Sequence, residues 1–458
     1  MHEEIKNALR ASDGDYTEIR LEREFRNTIK YEKNNLMNLD SSVESGGIVR
    51  TLVSGGWGIA TFNSADELSK KVDRATEIAR TAAPYLDEPI ELADSPTEEE
   101  TVQPELERDF RNISLDQKRR LLQGYNETIL KFDDKIKSTK ANYSDSYREI
   151  TYANTEGTWI TQSVPDVTLS LVAVAKSDEA GPQVSHESVG EAVGFELVTD
   201  REEMATVVAQ RALDLLDAEP VKGGEYTVLL NPKLAGVFIH EAFGHLCEAD
   251  HFYKNERLQE IMRIGEKFGP NDLNVVDDGY ISGRRGNTPF DDEGVQREKT
   301  YLVKDGKLNN FLHSRETAAK MGERPTGNAR AVSYRHEPIV RMTNTYIENG
   351  DQTFQEMIKS VDKGIYAIDA YGGQTQLEQF TFSAGHGRLI ENGKIGPVLK
   401  DVVLTGNIFE TLGNVAGIGD DLEIIGSGGG CGKGGQFPLP VTTGSPHVKI
   451  KNLTVGGR

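Results

Sequence analysis

The sequence predicts an α+β fold in which groups of strands are followed by single helices. In the first half of the chain, a run of strand-like segments followed by one amphipathic helix occurs twice. In the second half, short strand-like segments are separated by turn dipeptides typical of hairpins, at Asp305-Gly306, Asn349-Gly350 and Asn392-Gly393. Strands grouped in this way favour antiparallel sheets over a doubly wound fold. We therefore expect a mixed N-terminal region and a C-terminal domain rich in antiparallel sheet that carries the helix discussed below.

Two changes in composition predict three domains. The acidic, proline-containing stretch 87–103 lacks apolar periodicity and indicates an exposed linker. The glycine pair at 223–224 marks the second change, from helical to strand-like sequence. The predicted domains are an N-terminal α+β subdomain (1–83), a linker with a second α+β subdomain (84–220), and a C-terminal domain (221–458).

Apolar periodicity places the individual elements. Alternating apolar and polar residues predict strands, and apolar residues three to four apart predict helices. The predicted strands are 16–22, 27–34, a hairpin across 46–62 with a glycine turn, several strands over 137–195, 225–230, and much of 270–458. The predicted helices are 3–12, 64–83 with Ser64 as its cap, 114–136, 200–217, one that opens after Asn231, 315–321 and 354–363. We place His186 in a polar loop.

Composition and charge exclude several classes of protein. The 458 residues include 52 basic and 73 acidic side chains, a net charge of −21, which argues against nucleic acid as a partner. Apolar runs fall short of the roughly 18 residues that a membrane helix needs, and the first ten residues lack a signal-peptide core. We therefore expect a cytoplasmic protein. Its two cysteines, Cys247 and Cys431, imply no disulfide framework and are open to metal binding or catalysis.

The most informative stretch is the predicted helix after strand 225–230. Asn231 is a favourable N-cap, and the proline after it suits the first helical position, where its missing N–H has no partner to lose. The helix carries His240, Glu241 and His245, which is the zinc-hydrolase pattern H-E-x-x-H lengthened by one residue. The pattern makes this helix the first candidate for a metal site.

The five-residue spacing of the two histidines has a geometric consequence. Positions five apart on a regular α-helix lie about 140° from each other, so the two imidazoles would not face one metal. A local i→i+5 turn, a π-bulge, would align them. We expect Gly244 to allow that distortion, because glycine tolerates unusual backbone angles. The alternative is a regular helix with two unrelated histidines, and the spacing alone leaves both open.

A glycine-rich loop near the C-terminus contains the second cysteine. The stretch 426–436 follows a strand-like segment, as a phosphate-binding loop does. However, Ser427 stands where that motif needs glycine, Gly434 stands where it needs Ser or Thr, and a proline-containing segment replaces the expected helix. The phosphate-loop interpretation therefore fails. Cys431 remains as a candidate metal ligand in a loop with little side-chain bulk.

His240, His245 and Cys431 together would form a two-His, one-Cys site. Such a site leaves the fourth position open for water, which is the arrangement of catalytic zinc. Glu241 would then be the general base that takes a proton from a zinc-bound water. The sequence therefore predicts Zn²⁺ as the cofactor of a hydrolytic site.

Cys247 and Glu248, which both follow His245 closely, are alternative third ligands. Cys247 would point to another face of a continued helix, and a buried apolar role suits it better. Three roles are open to Glu248: a metal ligand, a hydrogen-bond partner of an imidazole, or a surface carboxylate. We favour the hydrogen-bond partner.

Several further blocks, taken with these motifs, resemble a known family. The blocks are HEAFGHLCEAD (240–250), DDEG (291–294), TGNARA (326–331), RMTNTYI (341–347), KGIYAIDAYGGQ (363–374), LIENGKI (389–395) and CGKGGQ (431–436). They resemble the TldD/PmbA family, also called modulators of DNA gyrase, in the same order and along nearly the whole chain. The chain has both the H-E-x-x-x-H motif and the C-terminal cysteine, so it is similar to the TldD type.

The resemblance implies a cytosolic zinc metallopeptidase. It implies His240, His245 and Cys431 as metal ligands and Glu241 as the base. It also implies a peptide or unfolded protein as substrate and a heterodimer with a PmbA/TldE-like subunit, while a homodimer stays open. The chain departs from the family pattern in TGNARA and at Gly430, where a threonine is common, and neither departure touches a proposed ligand.

Other candidate residues are weaker. An oxyanion formed during the reaction needs a donor besides the metal, and the polar candidates for substrate binding are His313, Tyr334, Arg335, His336 and His386. We further hypothesise that Gly430 and its neighbouring glycines bind substrate, because their backbone groups would pair with an extended peptide.

A second class of function stays open beside the metallopeptidase. It is a non-catalytic protein that binds and modulates a partner and uses zinc structurally. A structural zinc site closes all four positions with protein ligands and has no use for Glu241, so the motif favours the enzyme.

Overall fold

The first half of the chain builds one seven-stranded sheet flanked by helices, in a computed structural model that describes residues 1–376 and 378–456. Its strands are β1 (Tyr16–Glu32), β2 (Asn35–Val53), β3 (Gly56–Phe62), β4 (Glu99–Val102), β5 (Ile136–Asn154), β6 (Trp159–Ala175) and β7 (Gln183–Glu191). Its helices are α1 (His2–Arg10), α2 (Leu68–Ala82), α3 (Leu115–Leu130) and α4 (Glu202–Asp217), with short 3-10 turns at Ala83–Tyr85, Phe110–Asn112 and Phe195–Val198. The strand order is β3-β2-β1-β5-β6, and β4 and β7 both pair with β6 at the far edge.

This sheet joins strands from both predicted N-terminal subdomains. β1 pairs with β2 on one side and with β5 on the other, so the ladder runs without a break across the sequence boundary. One apolar cluster lies under α1 and α2, and another lies under α3 and α4. The capping box of Ser114 starts α3 where the sequence predicts its beginning.

Several predicted boundaries in this half are wrong. The two strands expected at 16–22 and 27–34 are one strand, β1, because pairing with β2 and β5 continues through the polar residues between them. α2 begins after Glu67, not at Ser64, whose hydroxyl accepts from the Asp66 N–H in a local turn. α3 ends at Leu130, and the end of the expected linker forms β4. His186 lies on β7 and not in a loop.

The second half contains two larger sheets and the remaining helices. The strands are β8 (Glu219–Pro220), β9 (Gly224–Leu230), β10 (Val275–Asp278), β11 (Lys299–Lys304), β12 (Lys307–Leu308), β13 (Ala329–Arg330), β14 (Ile339–Val340), β15 (Asn344–Ile347), β16 (Lys363–Gln376), β17 (Gln379–Glu391), β18 (Lys394–Lys400), β19 (Val403–Asn407), β20 (Val415–Ile418), β21 (Glu423–Gly426), β22 (Cys431–Lys433), β23 (Gln436–Leu439), β24 (Thr442–Ser445) and β25 (Val448–Gly456). The helices are α5 (Pro232–Ile239), α6 (Ala249–Phe252), α7 (Glu256–Ile261), α8 (Arg315–Met321), α9 (Phe354–Lys359) and α10 (Ile408–Gly413). The last two residues of the predicted third domain, 457 and 458, lie outside the described residues, as does position 377.

The larger of the two sheets closes on itself. β16 pairs with β9 on one side and with β17 on the other, so the ladder β16-β9-β25-β19-β17 forms a ring of five strands. The second sheet has the order β12-β11-β10-β15-β24-β21. Most pairings are antiparallel, and the predicted α+β class is confirmed. Of the described helices, none combines the length and apolar character that crossing a membrane requires.

The hairpins expected in the second half have mixed outcomes. Asp305-Gly306 joins β11 to β12, and residues 392–393 join β17 to β18, as predicted. The hairpin expected at 349–350 is wrong, because the Gly350 N–H donates to the Gly419 carbonyl (2.7 Å) and the chain leads into α9. α9 is also shorter than predicted and ends at Lys359.

α5 lies between the ring of strands and the six-stranded sheet. On one side, the Phe238 ring packs edge-on against Phe380 and Phe382 of β17, with centroids 5.4 Å and 6.0 Å away. On the other side, a side chain at Gly236 would meet the backbone of Gly444 on β24. Because both faces of α5 are covered, its apolar residues belong to the largest core of the protein.

The start of α5 is fixed by Asn231, as predicted. Its Oδ1 accepts from the N–H of Leu234 (3.0 Å) and from the N–H of Asp369 (3.1 Å), and its own N–H donates to the Ala367 carbonyl (3.0 Å). One carboxamide therefore caps the helix and ties it to β16.

A π-helical turn, His240–Gly244, continues α5, and a 3-10 turn, His245–Cys247, follows it directly. The N–H of His245 donates to the carbonyl of His240, which is the i→i+5 bond that the spacing predicts. Gly244 has ordinary helical angles, φ −56° and ψ −47°, so the expected need for unusual angles is wrong. Glycine leaves space here, because a Cβ at this position would overlap the sulfur of the fully buried Met342 and that side chain would have to shift.

We expect Asn231→Ala to lower the free energy of unfolding by about 1–2 kcal/mol, because the N–H of Leu234 in the first turn of α5 and the N–H of Asp369 lose their acceptor. Chemical denaturation measures the change. Asn231→Asp keeps an oxygen in place and should recover most of the loss. Equal destabilisation by the two variants would contradict the capping role.

We expect Gly244→Ala to destabilise the protein by about 1–3 kcal/mol, because the added methyl overlaps the Met342 sulfur. A double-mutant cycle with Met342→Ala tests this cause, since removing the sulfur should remove most of the cost of Gly244→Ala. If the cost of Gly244→Ala persists in the Met342→Ala background, the space argument is wrong.

Candidate metal centre

His240, His245 and Cys431 meet at one point, although the cysteine lies 186 residues after His245. One potential ligand atom from each lies within 4.8 Å of the others. The two imidazole centroids are 5.2 Å apart with planes at 80°, and Cys431 Sγ lies 3.2 Å from His245 Nε2. Without the π-turn these two rings would diverge, so the backbone distortion brings the three predicted ligands together.

The surroundings of His240 fit a metal. The residue is only 3 % exposed, and neither ring nitrogen makes a hydrogen bond of good geometry to any of the described residues. Buried polar nitrogens are almost always satisfied in proteins, because leaving them unpaired costs free energy. Two imidazoles and a thiol are also the donors that zinc prefers. The donor set and the unpaired nitrogens of His240 are therefore both consistent with a bound metal ion.

His245 is oriented from behind by a buried carboxylate. Its Nδ1 lies 2.9 Å from Oε2 of Glu248, which is fully buried, and this contact turns Nε2 toward Cys431. Burial would raise the pKa of Glu248, but His245 and Lys433 hold it well below its usual range. Burial would lower the pKa of His245, but Glu248 and Cys431 raise it well above its usual value. Glu248 thus touches an imidazole, as expected, and lies outside the cluster of three ligand atoms.

Lys433 connects the two parts of the site, and the motifs in the sequence do not identify it. Its Nζ lies 3.0 Å from Glu248 Oε2 and 2.5 Å from Asp250 Oδ1, and it donates to the Val340 carbonyl (2.8 Å). A buried ammonium requires such partners. Lys433 lies two residues after Cys431 on β22, so the strand that carries the thiol is ion-paired to the segment that follows His245. The single charged residue within the glycine-rich stretch 426–436 was the available signal in the sequence.

The two cysteines have opposite surroundings. Burial would raise the pKa of the Cys431 thiol, but His240 and His245 outweigh it and lower the pKa from 9.0 to about 4. Cys247 is fully buried in the main core, and burial raises the pKa of its thiol. The surroundings of Cys431 therefore favour the thiolate, the form in which a cysteine binds metals, whereas Cys247 is a core residue as predicted.

Glu241 lies at the edge of the cluster. Its side chain is 29 % exposed, and Oε2 lies 3.9 Å from His245 Nε2. Its backbone carbonyl accepts from the Thr375 hydroxyl at the end of β16 (3.0 Å), which fixes the backbone of this residue. The carboxylate therefore reaches both the candidate ligands and solvent.

The glycine-rich loop ends in a hairpin. β22 pairs with β23, and Gly434 and Gly435 form the turn with positive φ angles of 58° and 76°. A Cβ at Gly430 would meet the carbonyl of Leu439 and the ring of Pro438. Gly430 therefore has a packing reason within the chain, whereas its proposed contact with substrate stays a prediction.

The weaker candidates have contacts elsewhere in the protein. His313 is fully buried with Nδ1 3.3 Å from Thr317 Oγ1, and burial lowers its pKa to about 4. The Tyr334 hydroxyl donates to Asn63 Oδ1 (2.7 Å), and the His336 carbonyl accepts from Arg20 (3.3 Å). The contacts of Tyr334 and His336 link the C-terminal region to the first half of the chain.

His386 lies on β17 beside a separate group of charges. Burial, followed by the charge of Arg211, lowers the pKa of this histidine to about 4. Arg211 forms an ion pair with Asp369 (2.8 Å). The structure therefore does not bring His386, or the other weaker candidates, into the cluster of three ligand atoms.

Comparison with known proteins covers almost the whole chain. The family model of the PmbA/TldA metallopeptidase C-terminal domain matches residues 223–457. The models of the central domain and of domain 1 of the same family match residues 108–216 and 17–79. A metalloprotease of Synechocystis is 41 % identical over 446 residues, which are 97 % of this chain and 96 % of the relative. A zinc metalloprotease TldD homolog of Saccharolobus solfataricus is 30 % identical over 448 residues, 96 % of each chain.

Solved structures share the fold. A putative modulator of a DNA gyrase from Thermotoga maritima aligns over 100 % of both chains with a TM-score of 0.81 at 21 % identity. TldE from Thermococcus kodakarensis aligns over 99 % of this chain and 100 % of its own, with a TM-score of 0.78 at 18 % identity. Family match, relatives and fold agree, and the chain belongs to the TldD/PmbA family of metallopeptidases.

Proposed function

We propose that the protein is a zinc-dependent peptidase whose metal is held by His240, His245 and Cys431. The convergence of these three side chains within 4.8 Å carries the proposal, because a catalytic zinc site uses three protein ligands and keeps its fourth position for water or substrate. Nitrogen and sulfur donors favour zinc over harder cations, and a relative is named a zinc metalloprotease. When bound, zinc would supply a Lewis acid that polarises the scissile carbonyl and acidifies water.

The proposed role of Glu241 is that of general base. Its carboxylate borders the three ligands and remains partly exposed, so it can reach a water molecule at the open side of the cluster. It would take the proton of the attacking water and return a proton to the leaving amine. Glu248 and Lys433 would hold His245 in the orientation that presents Nε2 to the metal.

The proposed substrates are short or unfolded polypeptides. A cleft of about 320 Å³ lies beside the Cys431 hairpin, between the first sheet and the C-terminal region. Its lining includes Arg148, Ser333 and Phe437, whose ring is 69 % exposed. A space of this size suits a few residues of extended chain and not a folded domain, and the exposed ring would pack against an apolar substrate side chain.

The proposed assembly is a heterodimer with a PmbA/TldE-like subunit. The likeness of this chain to TldE over its full length supports the proposal, because two chains of one fold can form a pseudo-symmetric pair. A homodimer is the alternative, and the cytoplasmic location stays a prediction from sequence.

A non-catalytic modulator with a structural zinc is the second candidate. It is favoured by the name of the Thermotoga maritima neighbour, a putative modulator of a DNA gyrase. A structural site uses four protein ligands, whereas three converge among the described residues and a partly exposed carboxylate stands beside them. The peptidase therefore accounts for more of the geometry.

We expect Glu241→Gln to keep stoichiometric zinc but to lose roughly 10²- to 10⁴-fold of the peptidase activity, because the amide cannot accept the proton. Metal analysis and hydrolysis of unstructured casein, with and without the partner subunit, measure both. Glu260→Gln, at an exposed carboxylate on α7, is the matched control and should behave like the wild type. Full activity of Glu241→Gln would refute the base assignment, and zinc binding without hydrolysis by the wild type would favour the modulator.

We expect the Cys431 thiol to titrate with a midpoint near pH 4 in the metal-free protein, because the neighbouring histidines lower its pKa to about 4. A lowered pKa means that the thiolate persists as the pH falls from neutrality and is protonated only near that midpoint. Ultraviolet thiolate absorbance, taken as the difference between wild type and Cys431→Ser, follows this change. A midpoint near the usual value of 9.0 would show that the histidines do not stabilise the thiolate.

A further inference from the structure

Arg285 connects the glycine-rich loop to the first sheet. Its Nε and Nη2 form a two-point contact with the carboxylate of Asp166 on β6, at 2.6 Å and 2.8 Å. Its Nη1 donates to the carbonyls of Ser427 and Gly429, two residues apart in the loop that leads to Cys431. The side chain of Arg285 is only 6 % exposed and that of Asp166 is 20 % exposed, so these contacts are largely, though not fully, shielded from water.

The backbone of Arg285 is anchored as well. Its N–H donates to the Thr442 hydroxyl on β24 (3.0 Å), and the next N–H, of Gly286, donates to Asn344 Oδ1 on β15 (3.1 Å). The guanidinium therefore reaches from a turn that is hydrogen-bonded to the six-stranded sheet to both the loop and β6.

The loop also lies directly on β7. The N–H of Gly428 donates to the Ser188 hydroxyl (3.2 Å). A Cβ at Gly190 would overlap the Ser427 carbonyl, and a Cβ at Gly426 would overlap the Gly190 carbonyl. Backbone contact this close is possible only because both positions are glycine. The first sheet thus forms the surface on which the metal-binding loop rests.

The composition of the loop makes such contacts necessary. Gly428, Gly429 and Gly430 precede Cys431, and glycine loses more conformational freedom on ordering than any other residue. Ordering the loop requires bonds that offset this entropy, and bonds from a buried guanidinium are among the stronger ones available. The two carbonyls that accept from Nη1 flank Gly428, so one cation fixes the curvature of the loop.

We propose that Arg285, held by Asp166, is a positioning residue that places Cys431 against His240 and His245. The inference rests on the proposed zinc site. It implies that a carboxylate of the first sheet, which is not among the three ligands, sets the strength of metal binding. Lysine cannot replace arginine here, because a single ammonium cannot contact the carboxylate at two points and both carbonyls together.

The test measures the Kd of the full chain for Zn²⁺ by competition with a chromophoric chelator. Arg285→Lys and Arg285→Ala should bind zinc roughly 10- to 100-fold more weakly, which is the range for loss of a supporting contact. Asp166→Asn should also weaken binding, because the guanidinium loses its counter-charge. Arg315→Lys is the matched control: Arg315 is a second buried arginine with a two-point contact to a first-half carboxylate, Glu156, at 2.7 Å and 2.9 Å. This control should change the zinc Kd less than about twofold, because distant sites act independently.

Alkylation of the metal-free protein supplies a second readout. Peptide mass mapping distinguishes label on Cys431 from label on Cys247, which is fully buried in the core. Arg285→Lys should raise the alkylation rate of Cys431, because the freed loop exposes the thiol.

Millimolar guanidinium should restore zinc affinity to Arg285→Ala, whereas the same concentration of sodium should not.

The outcomes separate this inference from the proposed function. If Cys431→Ala binds zinc as tightly as the wild type, the proposed metal site is wrong. If Cys431→Ala loses zinc while Arg285→Lys and Asp166→Asn keep the wild-type Kd and alkylation rate, the metal site stands and the positioning role is overturned. Equal weakening by Arg315→Lys would also overturn it, because the effect would then reflect general loosening between the two halves of the chain.

Discussion

Imidazoles five residues apart on a regular α-helix diverge by about 140°, and the candidate metal centre depends on removing that divergence. The π-turn at His240–Gly244 removes it, and close packing makes room for the turn. The sulfur of Met342 fills the space beside Gly244, so a side chain at this position would have to displace it, while α5 is held between the strand ring and the six-stranded sheet. The irregular turn is therefore stabilised by the core packed around it, and π-turns of this kind are frequent at functional sites.

The three candidate ligands are supported in different ways. His245 is held by Glu248 and, through it, by Lys433. Cys431 is placed by a loop whose carbonyls accept from a buried arginine. The ring of His240 makes no hydrogen bond of good geometry to the described residues, so a bound cation would satisfy its buried nitrogen. A site that is preorganised at two ligands loses less entropy when it takes up the metal.

Features that depend on a few neighbouring residues could be predicted from the sequence. They include the N-cap at Asn231, the hairpin at 305–306 and the π-turn that follows from the histidine spacing. Features that depend on distant residues could not. The space requirement at Gly244 is set by Met342, far along the chain, and β1 runs through a polar stretch because two neighbouring strands pair with it. The ion pair of Lys433 with Glu248 could not be predicted either, because the two residues are far apart in the sequence.

The fold tolerates wide change in sequence. Chains that share only 18–21 % identity keep the same architecture over nearly their full length, since many apolar residues can fill the same core. The proposed chemistry has no such freedom, because it would require two imidazoles and a thiolate at fixed separations and a carboxylate beside them. Fold alone is therefore weak evidence of activity in this family. The proposed peptidase chemistry of this chain depends on four side chains and on the contacts that hold them in place.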